Sequence, residues 1–152
     1  MTYTLNQFCN LPTKKIGFST KCYHAKFMDY FNAFPEAHFE IISLKIPAST
    51  FLKEQLIFKK NVIWSPVLAP TEDLLLWMKQ NKPTFRNYTL QFKLQILNDK
   101  KAIERMKELI QIAQKKQVFL ICYEKDASQC HRSLILKEIY HIINMRTILK
   151  SI

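Results

Sequence analysis

The chain predicts an α/β domain of three layers, a small and largely parallel sheet flanked by helices. Three observations predict it. Short, largely apolar runs (Phe39 to Ile46, Val118 to Cys122) alternate with longer stretches whose apolar residues recur at helical spacing. Proline and polar clusters separate the two kinds of segment, as expected where strands and helices take turns along a chain. With 152 residues, 48% of them hydrophobic, there is enough apolar surface for one real core. No repeat or low-complexity linker divides the chain, so residues 1–152 read as a single domain.

The elements follow in order. Residues 14–18 suit a first short strand. Residues 22–34 place Phe27, Tyr30, Phe31 and Phe34 at helical spacing, and Pro35 stops them. Phe39 to Ile46 reads as a second, largely buried strand closed by Pro47, and Asn61 to Trp64 as a short extended piece. Thr71 offers a cap hydroxyl, and Glu72 and Asp73 suit the positive end of a helix carrying Leu74, Leu75, Trp77 and Met78. Pro83 follows that helix, and Thr84 opens another in which Phe85, Tyr88 and Phe92 share a face. Over 99–115, Ala102, Ile103, Met106, Leu109, Ile110 and Ala113 line one face and charged residues the other. Residues 117–122 form the next strand. A final helix starts near Ser128 and runs to Met145, and residues 147–152 suggest a last strand.

Composition narrows the function. Gly17 is the only glycine, where average usage would give about ten. A Walker loop or a dinucleotide fingerprint needs two or three glycines for close phosphate approach, so both are excluded. Any phosphate site must use a bare helix start and side chains. The net charge of +11 invites a nucleic-acid partner, but the lysines are scattered as pairs (Lys14-Lys15, Lys59-Lys60, Lys100-Lys101, Lys115-Lys116) rather than gathered in a tract. No apolar run approaches the about 20 residues of a membrane span, and the first residues lack a secretory pattern. The expectation is therefore a cytoplasmic protein without a membrane partner, whose four cysteines are reduced thiols outside any C-x-x-C pair.

Chemistry concentrates in Cys122 to Ser133. A strand ending at Cys122, a polar loop and a helix start bring a thiol, an imidazole, a guanidinium and a hydroxyl within one turn, where an anion is favoured. In a parallel sheet this loop, Gly17 to Thr20 and Lys45 to Thr50 all leave the carboxyl edge, where ligands bind. The candidate catalytic residues are Glu124 (acid or base), Cys130 (a thiol lowered by the helix start and basic neighbours) and His131 (acid or base). The candidate ligand-binding residues are Gly17 and Ser19 as a facing wall, and Lys45, Arg132 and Ser133 as anion holders.

Each has a structural alternative. Arg132 either grips a phosphate or carboxylate or bridges Glu124 or Asp126. Cys130 is a nucleophile or a small buried core residue, and His131 is catalytic or holds a loop carbonyl. Asp126 caps the helix with Gln129, and Cys122 belongs to the core. No metal is assigned: Cys22, His24, Cys130 and His131 have suitable donors, but their spacing carries no specificity. The spacing of Cys122 and Cys130 from Arg132 does not suit a cysteine phosphatase loop.

The segments Leu120 to Asp126 and Cys130-His131-Arg132-Ser133 resemble the signature of the family catalogued as domain of unknown function 488. Ile16-Gly17-Phe18-Ser19, Leu44-Lys45-Ile46-Pro47-Ala48-Ser49, and Trp64 with Leu68-Ala69-Pro70-Thr71, Leu74 and Trp77 resemble its other segments, so the likeness spans residues 14 to 145. It implies a compact α/β fold whose loops form one site. Ser43, Lys45 and Thr50 depart from the family pattern of aspartate, arginine and arginine, which puts in doubt an activity needing that carboxylate or an arginine pair. The expected function is binding of an anionic, phosphate-bearing ligand (nucleotide or nucleic acid) at residues 122–133; if the protein is an enzyme, the class is a hydrolase or transferase. The alternative is a non-catalytic nucleic-acid-binding or protein-interaction module whose loop is held by internal salt bridges. No cofactor is named.

Overall fold

The computed structural model describes residues 2–4, 17–45 and 60–151. Five strands form one sheet: β1 (Thr2–Thr4), β2 (Gly17–Ser19), β3 (His38–Ile41), β4 (Val62–Trp64) and β5 (Val118–Ile121), in the order β1-β2-β5-β3-β4. The last four in that order are parallel, and β1 pairs antiparallel with β2 at the edge. Parallel neighbours need long connections. Helix α1 (Phe27–Ala33) fills the crossover from β2 to β3. Helices α2 (Glu72–Asn81), α3 (Phe85–Leu97) and α4 (Lys100–Ala113) fill that from β4 to β5, and α5 (His131–Ser151) closes the fold.

The period-two alternation of the strands sorts their side chains into two cores. Phe119 and Ile121 of β5 join Phe39 and Ile41 of β3 and Phe27 of α1 on one face. Val118 and Leu120 face the other way, into the larger core built with Phe92, Met106, Leu109, Ile135 and Ile139 from α3, α4 and α5. The result is the three-layer, largely parallel arrangement that the alternation of elements predicts. Each large apolar side chain so enclosed contributes about 1.5–3 kcal/mol, which lets strands of three and four residues hold.

Local signals place most helix ends. Thr71 Oγ1 accepts the Leu74 N–H and Thr84 Oγ1 the Asn87 N–H, both at 3.2 Å, and the Asp99 carboxylate accepts from Lys101 and Ala102. Lys82 ends α2 in the left-handed region (φ 43°), a position glycine usually takes and for which this chain spends a lysine.

Four expectations are corrected. The helix over 22–34 starts only at Phe27: Tyr23 forms an isolated bridge to Cys122 and a 3-10 turn spans His24–Lys26, because the segment is tied to the sheet edge. The last helix starts at His131 rather than near Ser128. Asp126 caps a separate 3-10 turn, Ala127–Gln129, and Cys130 is extended (φ −130°, ψ 152°). Finally, α5 continues to Ser151, where a strand over 147–152 is expected from its β-branched residues; helical continuation outweighs that local preference. Strand β3 ends at Ile41, short of the expected Ile46, since residues 43–45 turn away from the sheet. Residues 14–16 and 46–50, with Thr50, lie outside the described residues.

One polar knot ties α4 to β3. Glu40, fully buried, accepts both the Nε–H (2.6 Å) and an Nη–H (2.8 Å) of Arg105, a bond from Ser65, and lies 2.7 Å from His38 Nε2. Burial alone would raise the Glu40 carboxyl, but the bonds from Arg105, His38 and Ser65 outweigh it and hold it below its ordinary value of 4.5. A depressed carboxyl stabilises the fold above its ordinary range and loses that contribution as pH falls through the folded value. Glu40→Gln should therefore cost about 3 kcal/mol at pH 7. Denaturant unfolding at neutral pH and below pH 4 should show the gap to wild type narrowing in acid.

Candidate functional site

The carboxyl ends of β3 and β5 open onto a cavity of about 640 Å³. Its floor is Cys122, the first residue after β5, with Glu124 two residues on and Cys130 and His131 at the start of α5. Tyr88 and Phe85 of α3, with Leu75 and Met78 of α2, make an apolar wall, and Ser43 and Lys45 form the opposite rim. Helix α3 is in place because Thr84 caps it and Phe92 and Ile96 bury against the sheet.

The floor is tightly convergent. The sulfurs of Cys122 and Cys130 lie 3.1 and 3.3 Å from Oε2 of Glu124, and each lies 3.7 Å from Nδ1 of His131. On its other edge, His131 Nε2 is 2.6 Å from the Ile42 carbonyl. A carbonyl only accepts, so Nε2 carries the proton and Nδ1 faces the sulfurs. Cys122, Cys130 and His131 are buried, and Glu124 is exposed.

Cys130 is extended and directly precedes α5, and its carbonyl accepts the Ser133 N–H at 3.2 Å. The Cys130 thiol is lowered well below its ordinary value, chiefly by hydrogen bonding from Cys122, against the effect of burial and with help from His131 and the Arg132 N–H. Cys122 is pushed up, first by its bond to Cys130 and then by burial.

Arg132 is completely buried, and its place corrects the ligand-binding expectation. One Nη–H group donates to the carbonyls of Thr20 (2.9 Å) and Cys22 (2.6 Å), and the other to the carbonyl of Glu124. It bridges neither the Glu124 nor the Asp126 carboxylate; it binds main chain. Gly17 and Ser19 also lie away from the cavity: Gly17 accepts a bond from Gln117 at its carbonyl and is buried in β2, and the Ser19 hydroxyl accepts the Lys21 N–H at 3.3 Å. Ser133 donates its hydroxyl to the Cys130 carbonyl and lines a second cavity of about 750 Å³ rimmed by Lys21, Lys125 and Lys137. Glu124, Cys130, His131 and Lys45 therefore meet in one site, and Gly17, Ser19, Arg132 and Ser133 do not.

Sequence reasoning missed Cys122 as a site residue, because an apolar strand end reads as core, and missed the walls from α2 and α3. Among the described residues, the donors able to hold a metal are Cys122, Glu124, Cys130 and His131, whose ligand atoms all lie within 4.8 Å of one another. This replaces the set Cys22, His24, Cys130 and His131. Cys22 belongs to the core with Phe27 and Phe39, and burial pushes its thiol up to about 12. His24 packs edge-on to Tyr123, 3.4 Å from the Ser43 hydroxyl, and burial followed by the Arg132 charge lowers it to about 4.

The model of the active DUF488-N3 subclade matches residues 33–141. The chain belongs to the DUF488 family. The matched span contains every residue named above for the cavity at Cys122, including Ser43 and Lys45, which stand where the family resemblance sets aspartate and arginine. No curated protein and no solved structure matches the chain. Among the described residues, no helix is long and apolar enough to cross a membrane.

Arg132→Met would strip three carbonyls of their donor inside the fold. We expect a loss of about 3 kcal/mol or more, read by denaturant unfolding. Arg132→Lys should rescue little, since one ammonium does not reproduce the planar fork.

Proposed function

We propose that this DUF488 protein is an enzyme, a hydrolase or transferase, acting on a small phosphate-bearing molecule seated in the cavity at the carboxyl edge of the sheet. One observation carries this: a carboxylate, an imidazole and two thiols converge on the floor of an apolar-walled cavity of about 640 Å³. Convergent polar groups in a concave apolar site are the usual mark of an active site. The description of the matched subclade as active agrees with an enzyme.

The roles follow from position. The apolar wall of Tyr88, Phe85 and Met78 takes the ring or chain of the ligand. Lys45, exposed at the rim, takes its anionic end, a task that the sequence divides among Lys45, Arg132 and Ser133. Glu124 is the one exposed group of the floor, with its carboxylate against both sulfurs, and it moves the proton of the reaction. The net charge of +11 favours an anionic substrate.

A thermal-shift screen of inorganic phosphate, sugar phosphates, nucleotides and short oligonucleotides tests this. A ligand at about 100 times its Kd should add about 2.7 kcal/mol of stability. Lys45→Ala should abolish that shift, while Glu124→Gln should keep the shift and lower turnover of the identified ligand by about 100-fold or more. Oligonucleotides that stabilise far better than mononucleotides, with a steep salt dependence, would replace the small molecule with nucleic acid as substrate. No stabilisation by any of these compounds would overturn the reading.

A further inference from the structure

The four side chains on the cavity floor have a geometry that hydrogen bonding alone does not explain. Thiols are weak donors, yet two of them, both buried, crowd the same carboxylate oxygen at 3.1 and 3.3 Å, and both stand 3.7 Å from the imidazole Nδ1. A tetrahedral zinc ion, with sulfur at about 2.3 Å and nitrogen or oxygen at about 2.0 Å, keeps its ligand atoms about 3.3–3.8 Å apart. Those four distances fall within a few tenths of an ångström of that range, and all the ligand atoms lie within 4.8 Å of one another.

We propose that Cys122, Cys130, His131 and Glu124 bind a single divalent zinc-type cation. Three features of the surroundings agree. The donor set is two sulfurs, one nitrogen and one oxygen, which suits zinc and not the hard, all-oxygen preference of magnesium or calcium. The Ile42 carbonyl, 2.6 Å from Nε2 of His131, is the outer-shell partner that a metal-binding imidazole almost always has, and it turns Nδ1 to the ion. The ligands also sit on rigid elements, Cys122 at the end of β5 and Cys130 and His131 at the first turn of α5, so the site is held from both sides.

Cys122, Cys130 and His131 are the three buried ligands. Glu124, exposed and facing the cavity, is the fourth and the one able to yield to a water or a substrate oxygen, as catalytic zinc sites keep one exchangeable position. The ion would then polarise the group that the substrate presents. The inference deepens the proposed function and rests on it only for what the ion does, not for its binding.

The test uses the full chain, kept reduced with a phosphine, stripped with chelator and titrated with Co²⁺ and then Zn²⁺. Wild type should take up one equivalent of Co²⁺ with a sulfur-to-cobalt charge-transfer band and the strong visible bands of a tetrahedral ion, all bleached by Zn²⁺. Cys122→Ser and Cys130→Ser should each weaken binding by at least about 100-fold, and Glu124→Gln by about 10-fold. Cys22→Ser, at a buried thiol outside the cluster, should leave it unchanged. A folded wild type without the charge-transfer band would overturn the proposal, and so would a band that survives both Cys122→Ser and Cys130→Ser. Because the cysteine variants can fail to fold, the wild-type spectrum and the exposed-site variant Glu124→Gln decide in that case. Ligand shifts in a chain that shows no charge-transfer band would remove the metal and leave the proposed function standing. Zinc bound without any phosphate shift would do the reverse.

Discussion

The buried guanidinium of Arg132 is the constraint on which the site depends. It reaches from the first turn of α5 to the carbonyls of Thr20 and Cys22, beyond β2, and of Glu124, beyond β5. Two loops that leave neighbouring parallel strands are thereby tied to one helix start. Without that tie, the segment between Cys122 and Cys130 would have no reason to fold back, and the two sulfurs would not meet. A charge this deep is costly unless its donors are engaged. Its bonds to main-chain carbonyls meet that need in part and leave the carboxylate of Glu124 free to face the cavity.

The consequences spread from that clamp. With Cys130 fixed at the head of α5 by the Ser133 N–H on its carbonyl, its sulfur is held 3.3 Å from the Glu124 carboxylate. His131, the next residue, is turned by the Ile42 carbonyl so that Nδ1 joins the cluster. Each interaction draws on a different part of the fold (α5, the end of β5, the end of β3), so the reactive floor is a product of the sheet edge as a whole.

The remaining polar burial is structural. The Glu40 knot holds α4 against β3 with a carboxylate that faces Arg105, His38 and Ser65. Ser65 and His38 each bond the carboxylate rather than one another, so the group does not have the relay order of a nucleophilic triad. The knot secures the helical layer that carries α3, and α3 supplies Tyr88 and Phe85 to the cavity. Burial, followed by the nearby charge of Cys130, pushes the Tyr88 phenol up and keeps that wall neutral.

The sequence by itself determined the fold class, the cap at Thr71, the helix starts at Thr84 and near residue 99, and the importance of residues 122–133. These rest on periodicity, cap chemistry and the order of strand, loop and helix, all properties of neighbours in the chain. It also marked Glu124, Cys130, His131 and Lys45, which do share a cavity. Only the tertiary structure decided that Arg132 binds main chain instead of ligand, that Gly17, Ser19 and Ser133 stand aside, and that Cys122 belongs to the reactive floor. Helix α5 likewise runs on through residues whose local preference is extended. The physical reason is common to these cases. Whether a guanidinium meets an anion or three carbonyls, and whether a strand-end thiol faces core or cavity, depends on which distant loops arrive beside it, and spacing along the chain does not encode that arrival.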